Sequence, residues 1–408
     1  MKTFLLCVAW LFGSSALASP AQDIFDEVAY YLVINYGGTS TADVRGLPDK
    51  YQPKLEAACI GMANTCPADK AYPVIQAMLT ELNDEHTGFY PNLGNVGRSL
   101  LAGNSSSFGV GLRLTVLENR VIVQGVLAGS GAAQAGVQRG DEIVGVNFRP
   151  VNKKTFGDVW NDINADGGYV NIARLGVTKR VRLQPSRLEP ELPSLQMRPD
   201  GIGVLKIPDF FGRGIGTVAN KVHELLAKTN AKSIILELRD NPGGIVADCT
   251  GAAGAFFDNA NNRFVARSAA GGVEFFNRDN QVWQRRTNFE GSLIKIAMPA
   301  RFTGRVAVLQ NASSASCAEF LASNLQSAAR AKIFGEPSAG VANTSTSFFF
   351  LSNNSLLLIT LNTRVSSNNQ PFASRVTPDE IVEDDLLQLN QTGLDAVLER
   401  AVAYLNAP

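Results

Sequence analysis

The sequence predicts an α/β protein with a helical N-terminal segment and an inserted domain of short strands and turns. Three observations predict it. Residues 22–92 carry apolar positions at helical spacing. Residues 104–186 change texture to short strands punctuated by glycine. After that, a buried-strand pattern followed by small or glycine-rich residues and then a helix occurs twice, over 233–256 and 306–326.

In the N-terminal part, 23–35 and 72–82 each have an apolar stripe. The second runs into Asp84-Glu85-His86-Thr87-Gly88, where Gly88 and Pro91 stop the helix and leave His86 on a loop. A histidine flanked by carboxylates suits a proton acceptor near neutral pH. Taken alone, it reads rather as an ordinary residue at a helix C-terminus. Residues 93–105, rich in Gly, Asn and Ser, read as a linker.

Phe108-Gly-Val-Gly-Leu112 reads as a glycine turn entering a strand, and 120–126 as another strand. Gly129–Gly136 carries a short helix, Gly140–Val146 a turn and strand, 155–164 a helix and 169–183 a hairpin. Beyond it, 201–208 is a strand and 216–229 an amphipathic helix. That helix holds the other histidine, His223, expected at the surface because Val218, Val222, Leu225 and Leu226 already form a buried face.

Ser233–Arg239 reads as a buried strand ending in Asp240-Asn-Pro-Gly-Gly244. A strand, a glycine pair and a helix in that order expose backbone N–H groups at the strand's carboxyl end. The second such unit is Val306–Gln326. Asn311, Ser313 and Ser314 suit a helix N-terminus. Ser316 then falls in the first turn, where N–H groups and the positive dipole end favour a developing oxyanion. Read alone, this stretch is an ordinary serine-rich cap. Residues 258–305 read as polar hairpins or loops, 346–351 and 356–365 as an apolar hairpin, and 392–405 as a last helix.

Composition bounds the function. Of 408 residues, 45% are apolar and 18% charged, with a formal net charge of zero. That is globular and lacks the basic excess of a nucleic-acid binder. Met1-Lys-Thr3, an apolar run from Phe4 to Phe12 and Ala16-Leu-Ala18 read as an export signal cleaved near Ala18 or Ser19. No other segment has membrane-spanning length. Four cysteines remain after cleavage, and an oxidising compartment favours pairing. Cys59 and Cys66 suit a local disulfide, whereas Cys249 and Cys317 fit either a second pair or two buried thiols. With only two histidines, neither at ligand spacing from a cysteine pair, no metal site is expected.

Several of these segments resemble known families. Gly109-Val-Gly-Leu112, Gly129–Gly136 and Arg139-Gly-Asp-Glu-Ile143 resemble a PDZ domain. That resemblance implies that Val110, Gly111 and Leu112 present N–H groups to a peptide's C-terminal carboxylate. The whole ordered set resembles the carboxyl-terminal processing peptidases (family S41). It adds Leu236-Glu-Leu-Arg-Asp-Asn-Pro-Gly-Gly244, Ser314-Ala-Ser316 with Glu319, Gly335-Glu-Pro-Ser-Ala-Gly340 and Val376-Thr-Pro-Asp379. The resemblance implies an α/β (α+β) core of the type shared with ClpP and crotonases. The corresponding divisions are 1–19 (signal), 20–97 (helical), 98–190 (PDZ) and 191–408 (peptidase core).

The same resemblance implies Ser316 as the acylating nucleophile and an oxyanion hole from the N–H of Cys317 and of Gly243 or Gly244. It implies protein or peptide substrates, approached through their C-termini, in the periplasm or outside the cell, and no cofactor. Homo-oligomers are compatible with it. One departure is marked: where many members carry a lysine base, this chain has Val341. A branch resembling tricorn core proteases and a chlamydial secreted protease uses Ser–His–Glu instead, and His86 matches its histidine. At the place of its acid the chain has Gln370; Glu380 and Glu85 are further choices. Lys332 is the nearest lysine in sequence and is expected to face solvent. The alternative is a catalytically inactive PDZ-containing binding or scaffold protein. A crotonase-like acyl-CoA enzyme would share the Pro-Gly-Gly logic but not the export signal or the PDZ pattern.

Overall fold

The computed structural model describes residues 19–102, 107–257, 263–268, 271–365 and 370–407. The expected export signal lies outside the described residues. The chain divides into two compact units.

The first unit comprises residues up to Gly97 together with Thr346–Leu361. Its helices are Pro20–Asn35, Leu47–Ala58 and Tyr72–Thr80. Ser19 caps the first helix by accepting the N–H of Gln22, and Pro20 occupies a first-turn position where no donor is missed. Ile24, Phe25, Val28 and Leu32 pack against Leu55, Ile75, Met78 and Leu82, and onto Leu351, Leu357 and Ile359. Cys59 and Cys66 are disulfide-bonded, with Cα atoms 5.5 Å apart. A short strand, Gly88–Tyr90, pairs antiparallel with Leu356–Leu358. The segment read as a linker contains a helix, Gly94–Leu101. Its glycines mislead because Gly97 lies close against Phe350 and Leu356, where a side chain would crowd them.

The second unit comprises Arg98–Ser345 and Asn362–Pro408. At its centre is a six-stranded sheet in the order Ser194–Met197, Ile202–Lys206, Ser233–Glu237, Arg305–Gln310, Ala331–Gly335, Glu380–Ile381. The first pair is antiparallel and the rest are parallel. Parallel strands need crossovers, and helices Thr217–Lys228 and Cys317–Ser327 supply two of them. Alternate residues of one strand face opposite ways. Ile234 and Leu236 pack under the crossover helices with Val222, Phe320 and Leu321. Ile235, Ala307, Leu309 and Phe334 face the last helix, Ala396–Asn406, through Val397, Ala401 and Leu405.

Within the stretch read as polar hairpins or loops, Arg263–Ser268, Gly271–Arg278, Gln281–Arg286 and Phe289–Lys295 form a meander of four antiparallel strands. The glycine-punctuated region forms a separate five-stranded antiparallel path from Leu112–Leu117 to Val177–Leu183, with helix Phe156–Asp166. Leu112–Leu117 stands at the edge of that sheet.

His223 is not a surface residue. It is 4% exposed, Nε2 contacts Gly251 O at 3.0 Å, and Nδ1 accepts Ala300 N–H at 3.0 Å. Because Nδ1 accepts, the ring is neutral with its proton on Nε2. The apolar face of the helix is wider than the four residues that suggested it.

Candidate active site

The carboxyl ends of the Ser233–Glu237 and Arg305–Gln310 strands lie side by side, and both feed a turn and a helix. The two turns are stitched together. Ser314 Oγ donates to Leu238 O at 2.8 Å, and Ala315 N donates to Asn241 O at 2.9 Å. Asn311 Oδ1 accepts the N–H of Asp240 at 3.0 Å, while its amide donates to Asp240 Oδ1 at 2.9 Å. Asn311 and Ser314 therefore do not cap the helix as their types suggested. They fasten one turn to the other, and Ser314 Oγ accepts Asn311 N–H within its own turn.

The helix begins at Cys317 and its N-cap is Ser316. Ser316 has φ 51° and ψ −112°, a backbone region that non-glycine residues rarely occupy. Such a turn persists only where neighbours over-determine it. One neighbour is Glu319, a fully buried carboxylate. It accepts Ser316 N at 2.7 Å, Ser338 Oγ at 2.5 Å, Gly340 N at 2.9 Å and Val341 N at 3.2 Å. Burial raises its pKa against the pull of those four donors.

The other neighbour is Gly243, at φ 94°. A Cβ there would sit 2.7 Å from Ser316 Cβ and 2.9 Å from Cys317 N, so only glycine fits. The N–H of Gly243 donates to Asn241 Oδ1 at 2.8 Å. Gly244 bridges to Phe210, with Phe210 N bonding Gly243 O and Ile245 N bonding Phe210 O. Among the described residues no protein acceptor takes the N–H of Gly244 or of Cys317. Of the two glycine donors suggested by sequence, Gly244 is the one not already engaged. Cys317 is joined to Cys249 by a disulfide, which resolves the two cysteines left open above.

Val341, where the family resemblance implies a lysine, is buried. Lys332 lies on the sheet face of Phe334 and Tyr404, away from the serine helix. It pairs with Glu380 at 3.2 Å and is one-third exposed. Glu380 also binds Arg400. Gln370 is exposed, beside the Val365–Pro371 bridge. In the first unit, His86 N donates to Asp84 Oδ1 at 3.0 Å, and Thr87 Oγ1 donates to Asp84 Oδ2 at 3.0 Å. Burial pushes the His86 imidazole down to about 4, against the opposing pull of Asp84. Among the described residues no cluster of His, Cys, Asp and Glu could hold a metal ion, and no helix is long and apolar enough to cross a membrane.

In the glycine-rich domain, Val110 N donates to Asn164 Oδ1 at 3.2 Å, and Val110 O and Gly111 O accept from Ala132 N and Leu127 N. Gly111 has φ 79° and no room for a Cβ beside Ser130. A salt-bridge network joins this domain to the central sheet. Arg139 binds Asp384 at 2.6 Å, Asp384 binds Arg239 at 2.9 Å, and Gln124 Nε2 donates to Asp240 Oδ1 at 2.7 Å. The sequence gives no direct signal for these partners, which lie far apart in the chain.

Residues 201–382 match the model of peptidase family S41, and 98–165 that of the PDZ domain. The chain is 26% identical over 285 residues to a carboxy-terminal-processing protease of Bartonella bacilliformis, covering 68% of this chain and 62% of that protein. It is 24% identical over 277 residues to the carboxy-terminal processing protease CtpA of Bacillus subtilis, covering 67% and 55%. The chain thus spans less than two thirds of these relatives' length. A crystal structure of a putative S41 protease from Bacteroides fragilis superposes with a TM-score of 0.57 at 15% identity, covering 81% of this chain and 90% of that one. That likeness concerns the fold.

Proposed function

From a chain that carries a peptidase family S41 domain and a PDZ domain, we propose an exported serine endopeptidase that cleaves protein substrates through an acyl-enzyme on Ser316. The observation that carries this reading is the placement of Ser316: a strained turn at a helix start, packed against Gly243 beside two N–H groups with no protein acceptor. Ser316 Oγ attacks the scissile carbonyl and His86 takes its proton. The tetrahedral oxyanion is held by the N–H groups of Gly244 and Cys317. Collapse expels the amine with the proton from His86, and water then releases the acid. His86 is assigned from its sequence motif and from a neutral imidazole at physiological pH.

The substrate enters through its C-terminus, which the PDZ domain takes. The sheet-edge strand Leu112–Leu117 is where a peptide strand would add, with the N–H groups of Gly111 and Leu112 toward its carboxylate. The names of the relatives, which process carboxyl termini, agree with this.

The test is labelling with a fluorophosphonate and cleavage of unfolded casein. Wild type is expected to label at Ser316 and to cleave, and Ser316→Ala to do neither. An active Ser316→Ala chain would overturn the reading. The second reading is a binding protein on a peptidase scaffold. It is favoured by Val341, a buried apolar residue where the family's lysine stands. A folded wild-type chain that never labels would select it.

A further inference from the structure

Two cysteines whose sulfurs have no part in the scheme above lie at its centre. Cys317 follows Ser316 and opens the serine helix. Cys249 lies in the first turns of helix Val246–Ala253, which starts two residues beyond Gly244. Their sulfurs are bonded and their Cα atoms are 5.7 Å apart, although 68 positions separate them in sequence. Both are buried, at 3% and 0% exposure. Cys317 Sγ also lies 3.5 Å from Gly244 O, the carbonyl of the glycine whose N–H is the second donor.

We propose that the Cys249–Cys317 disulfide is a positioning staple for the oxyanion hole, fixing the Cys317 N–H relative to that of Gly244. The inference rests on the reading of Ser316 as nucleophile. An oxyanion hole works only if its donors converge on one atom within hydrogen-bond distance. Here the two donors belong to separate strand–turn–helix units. On the strand side the units are joined by hydrogen bonds, Ser314 Oγ to Leu238 O and Ala315 N to Asn241 O. On the helix side the covalent join is the disulfide. It is attached to the very residue that supplies one donor, and it reaches across to the helix that the other donor's turn launches. The two cysteines position groups and touch no substrate.

The experiment uses the full chain after removal of any export signal. A non-reducing peptide map of wild type is expected to contain the 249–317 cross-linked peptide. Cys249→Ala removes the link and leaves Cys317 intact; Cys249→Val does the same with more of the packing volume retained. Each folded variant, assayed well below its melting temperature, is expected to label with a fluorophosphonate at least about tenfold more slowly than wild type, the order expected for a misplaced donor. Casein cleavage should lose kcat with KM little changed. Cys249→Ala combined with Cys317→Ala should be no slower than the slower single variant, because both remove one link.

A merely structural bridge would lower the melting temperature and leave the labelling rate of the folded protein unchanged, and that result would overturn the proposal. So would free thiols at both positions in the map. A wild-type chain that fails to label overturns the nucleophile reading itself. Normal wild-type labelling with unaltered variants overturns only the staple.

Discussion

The carboxylate of Glu319 accepts the backbone N–H of Ser316 at 2.7 Å, three residues back along the chain. The same carboxylate accepts from Ser338, Gly340 and Val341. One side chain thus holds both the strained turn of Ser316 and the Ser338–Val341 segment. Holding a turn at positive φ requires such opposing bonds.

Glu319→Ala should therefore be among the most damaging single changes. It leaves three N–H groups and one hydroxyl without their acceptor, at about 1–3 kcal/mol for each that stays buried and unpaired. Urea unfolding is expected to show a loss of several kcal/mol together with loss of fluorophosphonate labelling. Glu319→Gln keeps one acceptor oxygen and should lose less of both.

Gly243→Ala tests the packing of the two turns. The added methyl meets Ser316 Cβ at 2.7 Å in a backbone at φ 94°. Labelling of Ser316 should fall by more than about a hundredfold, since a shift near 1 Å at a reacting centre has that effect. Circular dichroism should remain close to wild type, because the clash is confined to one turn.

His86 accepts a proton only when its imidazole is neutral, and burial holds that form down to a pH of about 4. In a pH series, kcat/KM should be flat through neutrality and fall as the pH drops through about 4. His86→Ala should remove the activity across the series. Full activity in that variant would reassign the base.

Arg239 binds Glu237 at 2.6 Å, Asp384 at 2.9 Å and Asp395 at 2.8 Å while only 8% exposed. Arg239→Ala leaves partly buried carboxylates uncompensated, so a loss of about 3–5 kcal/mol is expected. The denaturant midpoint measures it. Arg139→Ala removes a more exposed partner of Asp384 and should cost less.

His223 gives the fold an acid limit. Burial lowers its pKa below the ordinary 6.5, so the unfolded chain takes up the proton first. Its contribution is complete above about pH 6.5 and is lost as the pH falls below that value. Protonation would also break the bond from Ala300 N–H to Nδ1. Chemical denaturation at pH 7 and pH 5 should show wild type losing more stability than His223→Asn.

Much of the architecture was legible in order along the chain. The buried strand at 233–237 has an unbroken apolar centre, Ile234–Leu236, as parallel strands covered on both faces require. The turn at 242–244 announced itself through proline and paired glycines. Less was legible where a residue's meaning depends on a distant partner. Gly94 and Gly97 looked like linker residues because their crowding by Asn354, Phe350 and Leu356 is not written nearby. His223 looked exposed because Gly251 and Ala300 are what bury it.

The sequence by itself determined the ordered motifs, the strand-to-helix turn at Ser316 and the absence of a lysine at Val341, because these depend on local propensity and spacing. The tertiary structure alone decided that Asn311 and Ser314 stitch two turns together and do not cap the helix. It also decided that Cys249 meets Cys317. Each depends on two strand ends becoming neighbours in a parallel sheet. Parallel pairing joins segments through long crossovers, so no local pattern in either segment names its partner.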